Sequence, residues 1–235
     1  MPTGFDIRDL AARVIVAPMS GGPTTPELAA AATNAGGLGF LAAGYLSADT
    51  FADRVVAARK LTPGPLGVNL FAPQPSAGTP QMIQRYAAAL EPEAERYAVA
   101  LGDPHYSDDD WSAKLDVVLD LRPEVVSFTF GLPTALERRR LALAGITMVA
   151  SVTTVREAEL AVDIGADVLA AQGPAAGGHR GTFDPAVQPA TEPLAELLSA
   201  LCTRFSLPVI AAGHRSGNGR RRGRRTTRHR LSSGR

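Results

Sequence analysis

Residues 124–173 read EVVSFTFGLPTALERRRLALAGITMVASVTTVREAELAVDIGADVLAAQG, and the stretch alternates three short apolar runs with two helical patterns. EVVSFTFG (124–131), TMVASV (147–152) and DVLAAQG (167–173) have the length and near-continuous apolarity of strands buried on both faces. The segments between them stop at Gly145 and Gly165, where a residue free to turn left-handed ends a helix. Thr153 and Thr154 precede VREAELAVDIGA, with Glu157 three residues after Thr154, the spacing of a capping box. Strand, helix and strand in strict alternation predict a parallel sheet crossed by helices.

Outward from this stretch the theme repeats. RVIVAPM (13–19), GLGFLA (37–42), PLGVNLF (65–71) and PVIAAG (208–213) bring the strands to seven. Thr25 and Ser47 stand where N-caps belong, and Gly36 where a helix should stop. Residues 73–123 exceed a simple crossover: a helix near 80–101 and a second near 108–121, led by Ser107 and capped by Asp108, Asp109 and Asp110, predict a lid or substrate wall. Trp111 is expected to pack that excursion. No GxGxxG follows the first strand, which argues against a dinucleotide-binding sheet. Small or polar residues instead follow most strand ends, as at the C-terminal mouth of a barrel. The expected fold is α/β, a (βα)8 TIM-type barrel over residues 1–213 in a single domain.

Composition narrows the class. The chain has 235 residues, 45% of them hydrophobic, enough for one large core. No run of about 18 apolar residues occurs and the N-terminus has no signal-like pattern, so a soluble, cytoplasmic protein without membrane contact is expected. The single cysteine, Cys202, excludes disulfides and cysteine metal sites, and is expected to be buried as a small apolar residue. Nine of the 24 Lys and Arg residues fall in 214–235 with no acid among them, leaving 15 bases against 23 acids in residues 1–213. An acidic body is poorly suited to nucleic acid, and a tail poor in aromatic residues lacks stacking platforms, so no specific nucleic-acid partner is expected. Nothing in the sequence sets an oligomeric state.

The chemistry concentrates after the sixth strand, in AQGPAAGGHRGTFD (171–184), where two glycines precede a histidine. Taken alone it is a glycine-rich turn with a surface imidazole. The ordered set VIVAPMSGG, TPELAAAATNAGGLGFLAAGYLS, GVNLF, VVSFTFG, VTTVREAELAVDIGADVLAAQG and AAGGHRGTF resembles the nitronate monooxygenases, once called 2-nitropropane dioxygenases, from about residue 10 to Gly213. The resemblance implies an FMN-dependent TIM barrel that oxidises alkyl nitronates with O2 to a carbonyl compound and nitrite. It puts Pro18, Met19 and Ser20 against the flavin, and it puts the amides of Asn69 and Gln172 on the ring edge. Gly177 and Gly178 would let the backbone reach the cofactor, Gly213 would belong to the phosphate region, and His179 matches the catalytic histidine. A protonated imidazole could hold a nitronate anion, and a neutral one could take a proton from a nitroalkane. Phe128 and Phe130 are expected in the core, and Arg180 carries no role.

Two departures qualify the resemblance. Ala175 stands where relatives usually carry a glutamate before Ala-Gly-Gly-His. After PVIAAG the family continues with a glycine, a helix and an eighth strand, whereas this chain reads HRSGNGRRRGRRTTRHRLSSGR. The expectation is a barrel incomplete after strand seven, followed by a disordered Arg-rich tail over 214–235 that lacks the means to order itself. Two alternatives stand beside the nitronate reaction: a flavin-dependent NAD(P)H reductase of quinones or enoyl thioesters, and an inactive barrel remnant without cofactor.

Overall fold

The structure is a computed structural model and describes residues 4–76 and 78–213. Seven parallel strands lie in chain order: β1 (Ile15–Val16), β2 (Leu38–Ala42), β3 (Leu66–Phe71), β4 (Val125–Thr129), β5 (Thr147–Val152), β6 (Val168–Gln172) and β7 (Val209–Ala212). Helices alternate with them: α1 (Pro26–Asn34), α2 (Ala48–Leu61), α3 (Pro80–Tyr97), α4 (Trp111–Leu121), α5 (Ala135–Leu143), α6 (Val155–Asp163) and α7 (Leu194–Arg204). The sheet is the curled wall of a TIM-type barrel. Among the described residues β1 pairs only with β2 and β7 only with β6, so the wall is open between them. The Arg-rich tail and its expected disorder lie outside the described residues.

Strand parity sorts the side chains into two cores. Leu41, Val68, Leu70, Val126, Phe128 and Met148 point outward and pack with Phe51, Val55, Leu115, Val118 and Leu141 of the helices. Full burial of each large apolar side chain contributes about 1.5–3 kcal/mol, which makes this layer the main source of stability. The inner face is apolar at its floor, where Leu38, Phe40, Val125, Val149 and Val168 meet Phe5, Ile7 and Leu10 of the N-terminal segment. Thr147 Oγ1 donates to Phe5 O at 2.6 Å and fixes that plug. Beside it, the Arg8 guanidinium hydrogen-bonds the Asp6 carboxylate and holds its pKa at about 2.

Toward the C-terminal ends the inner face turns polar. The parity that places Val125 inward also places Ser127 and Thr129 inward, opposite Asn69 and Phe71 of β3. The mouth is therefore lined by side chains that can hydrogen-bond.

Local expectations fared unevenly. Thr25, Ser47 and Thr154 cap α1, α2 and α6 through their hydroxyls. A full capping box appears instead on α5: Thr134 N and Oγ1 donate to Glu137 Oε2, while Glu137 Oε1 accepts from Trp111 Nε1 at 2.8 Å. Trp111 thus packs as expected, its ring 5.6 Å from that of Phe128. Helix α4 begins at Trp111 rather than 108, because Asp109 and Asp110 take left-handed φ of 59° and 53°. The Asp109 carboxylate pairs with buried Lys114 at 2.8 Å and accepts from Tyr45 N, so it ties α4 to the β2 loop instead of capping the helix. Strand β1 is shorter than 13–19, since Pro18 has no N–H and Thr24 Oγ1 draws Met19 N into a loop. Helix α3 stops at Tyr97, where Ala98 turns left-handed, and buries none of its side chains. Cys202, expected to be buried, is exposed, turned about 100° around α7 from its buried neighbour Leu201.

Candidate active site

At the C-terminal ends of β3, β4 and β5 the polar side chains connect directly. Asn69 is buried, and its Nδ2 reaches Ser127 O at 3.2 Å, Ser127 Oγ at 2.9 Å and Thr129 Oγ1 at 3.0 Å. Its amide orientation is thereby fixed, and among the described residues its Oδ1 accepts no hydrogen bond, leaving an acceptor at the mouth.

The loop from Gly173 to Pro193 divides into a free and a held part. Gly177 and Gly178 have φ of 77° and 67°, a region costly for residues with a Cβ, and no atom lies within 4 Å of where either Cβ would be. His179 follows on this exposed stretch. From its carbonyl onward, side chains hold the backbone. Gln172 Nε2 donates to His179 O at 2.9 Å, and Gln172 Oε1 accepts from Gly181 N at 2.8 Å. Gln74, on the loop after β3, donates through Nε2 to Thr182 O and Phe183 O at 2.9 and 3.0 Å. Glu157 Oε1 accepts from Phe183 N at 2.9 Å. Arg180 donates to Gln172 O and Ala190 O and so braces the loop from within.

A row of aromatic rings crosses the same mouth. Tyr45 meets Phe71 edge-on at 5.5 Å, Phe71 meets Phe130 at 4.9 Å, and Phe130 meets the His179 imidazole at 6.4 Å and 88°. Edge-to-face contact is the favoured geometry for such pairs. Phe130, expected in the core with Phe128, is only half-buried and stands beside His179, while Phe128 is fully buried. A Cβ on Gly44 would run into the Phe71 ring and lie 2.7 Å from Ser20 Oγ, so the β1 loop reaches this row through Ser20.

The expected site residues are therefore unequally joined. Ser20, Asn69, Gln172 and His179 lie on connected strand ends and loops. Gly213 abuts Gly173 at the end of β6, with its Cβ position 3.8 Å from Gly173 Cα. Pro18 and Met19 belong to the β1 loop, with Met19 40% exposed. Tyr45, Phe71 and Gln74 carried no expectation in the sequence, and Glu157 only that of a capping box. Phe71 shares the parity of Asn69, a signal that was there to be used, whereas nothing local marked Gln74. Among the described residues no group of three His, Cys, Asp or Glu could hold a metal, and no helix is long and apolar enough to cross a membrane.

The family model described as nitronate monooxygenase matches residues 7–223. The chain belongs to the nitronate monooxygenase family. That match ends past Gly213, where the resemblance drawn from the sequence stops. A nitronate monooxygenase of Paraburkholderia phytofirmans is 41% identical over 204 residues, covering 85% of this chain and 56% of that protein. A probable nitronate monooxygenase of Staphylococcus aureus is 35% identical over 196 residues, covering 82% and 55%. Among solved structures, a nitroalkane oxidase from Streptomyces ansochromogenes superposes with a TM-score of 0.80 at 40% identity, covering 87% of this chain and 59% of that one. The chain spans a little over half the length of these relatives. As a member of the nitronate monooxygenase family it shares the TIM-type barrel wall of these relatives.

Proposed function

We propose that this chain oxidises alkyl nitronates with molecular oxygen to a carbonyl compound and nitrite, using FMN, with His179 as the catalytic residue. The observation that carries the proposal is the presentation of His179: an exposed imidazole over the barrel mouth, on a loop whose following backbone is gripped by Gln172, Gln74 and Glu157. Catalysis by a single imidazole requires that its position be fixed before substrate arrives.

The residues present fit a flavin. A flavin edge alternates donors and acceptors, and the mouth offers Asn69 Oδ1, the second amide hydrogen of Gln172 and the Ser20 hydroxyl. The open space over Gly177 and Gly178 suits close approach of a flat ring. Pro18, Met19 and Ser20 would hold the flavin from the β1 side, Asn69 and Gln172 from the strand ends, Gly177 and Gly178 from the loop and Gly213 from the end of β7. FMN bound there would supply an acceptor for the substrate's electrons and a carrier of them to oxygen.

The protein's own part follows from charge. A nitronate is an anion with two oxygen acceptors, and an imidazolium is the one cationic donor on this stretch able to release its proton again. In the neutral form, the same ring can accept the proton of a nitroalkane. The Phe71 and Phe130 rings present apolar surface to an alkyl substituent beside His179. The expected result for the FMN-loaded protein is oxygen uptake and nitrite release that depend together on an added alkyl nitronate, read by an oxygen electrode and a colorimetric nitrite assay. Oxygen uptake without nitrite would refute the assigned reaction.

A further inference from the structure

Glu157 lies in the first turn of α6, yet its carboxylate does not serve that helix's N-cap residue. Thr154 Oγ1 accepts from Glu157 N at 3.1 Å, but Glu157 Oε2 turns back one residue further, accepting from Thr153 N at 2.6 Å and Thr153 Oγ1 at 2.8 Å. The other oxygen, Oε1, leaves the helix altogether and accepts from Phe183 N, 26 residues away, at 2.9 Å. The side chain is 8% exposed. A buried carboxylate needs its lone pairs filled, and this one fills them from two segments.

Those segments are the end of β5 and the loop that carries His179. Within that loop, the backbone from His179 to Phe183 is held at His179 O and Gly181 N by Gln172 and at Thr182 O and Phe183 O by Gln74. Gln172 belongs to β6, and Gln74 follows β3. Glu157 is the charged member of the three, and hydrogen bonds to a charged acceptor are stronger than those between neutral groups. It also ties the loop to the first turn of α6.

We infer that Glu157 is a positioning residue: its carboxylate clasps the loop at Phe183 and thereby sets where the His179 imidazole stands over the barrel mouth. The inference rests on the proposed role of His179, and its test separates the two. Glu157→Gln keeps size and helix position but turns an amide donor toward either Thr153 or Phe183 N. Thr153→Val removes one donor from Oε2 and leaves the Phe183 contact intact, so it serves as the control for plain loss of packing or capping.

The first readout is amide hydrogen exchange over residues 173–193 in the purified full chain, independent of activity. The expected result is exchange at Gly181–Phe183 faster by about tenfold or more in Glu157→Gln, with Thr153→Val near wild type. The second readout is steady-state turnover of an alkyl nitronate, where Glu157→Gln should lower kcat by about 10–100-fold with KM changed by less than about threefold. If Glu157→Gln does not fold, Glu157→Asp retains the charge near Thr153 but is one methylene too short for Phe183, and should loosen the same amides. Wild-type exchange in the variant that folds, or equal loosening in Thr153→Val, overturns the inference. So does unchanged kcat despite loosened amides. A wild-type protein without nitronate turnover would refute the role of His179 instead, and exchange alone would then decide the clasp.

Discussion

His179→Ala is expected to lower kcat for an alkyl nitronate by about 10²–10⁴, the range that positioned acid–base groups contribute. The loss should fall on chemistry rather than folding. His179 is exposed, and among the described residues its ring makes no hydrogen bond, while the loop is held through the His179 carbonyl, which alanine retains. Removing the imidazole takes away the edge contact with Phe130 and little else. The melting temperature should therefore stay within about 2 °C of wild type, as for most surface substitutions. Thermal unfolding and nitrite production on the same preparation check both halves. A kcat within about threefold of wild type would mean that the group handling the substrate's charge lies elsewhere.

Gly39→Ala should produce the largest stability loss among single-methyl changes. Gly39 faces α1 at the closest approach of helix and sheet, where its N–H donates to Thr33 Oγ1 at 3.1 Å. A Cβ added there would collide with the backbone carbonyl and Cα of Ala29. Backbone on both sides leaves no flexible side chain to give way, so α1 must lift from β2 and open the outer core. Overpacking of this kind costs about 3 kcal/mol, at the upper end of the usual range. For a chain of this size that corresponds to a fall in Tm of about 6–12 °C by calorimetry. Gly102→Ala is the matching control, since a Cβ at Gly102 meets nothing within 4 Å. Equal melting temperatures for the two variants would show that α1 does not lie against Gly39 in solution.

The barrel was legible because its signals are periodic and repeated. Seven apolar runs, punctuated by caps at Thr25, Ser47 and Thr154, determine strand and helix order without any contact needing to be known. What local pattern could not supply was the partner of a polar side chain. Asp109 has the composition of a helix cap, but buried Lys114 and the Tyr45 amide compete for its carboxylate and win. Cys202 shares a helix with Leu197 and Leu201, and only the angular position around α7 leaves it exposed. Likewise, the motif around His179 was visible as sequence, whereas its holds come from Gln74 and Glu157, about 105 and 22 residues away in the chain. Phe130 illustrates the remaining gap: one residue past the end of β4 its φ is 72°, so strand parity no longer says which way the ring points.

The central claim is that the His179 mouth carries out flavin-dependent oxidation of a nitronate. The most direct test is the visible absorbance of the protein after incubation with FMN and removal of excess by gel filtration, followed by anaerobic addition of an alkyl nitronate. The expected result is a retained flavin band that bleaches with the nitronate and returns on admitting oxygen. A protein that retains no flavin, or a retained flavin that bleaches with NADPH but not with the nitronate, would contradict it.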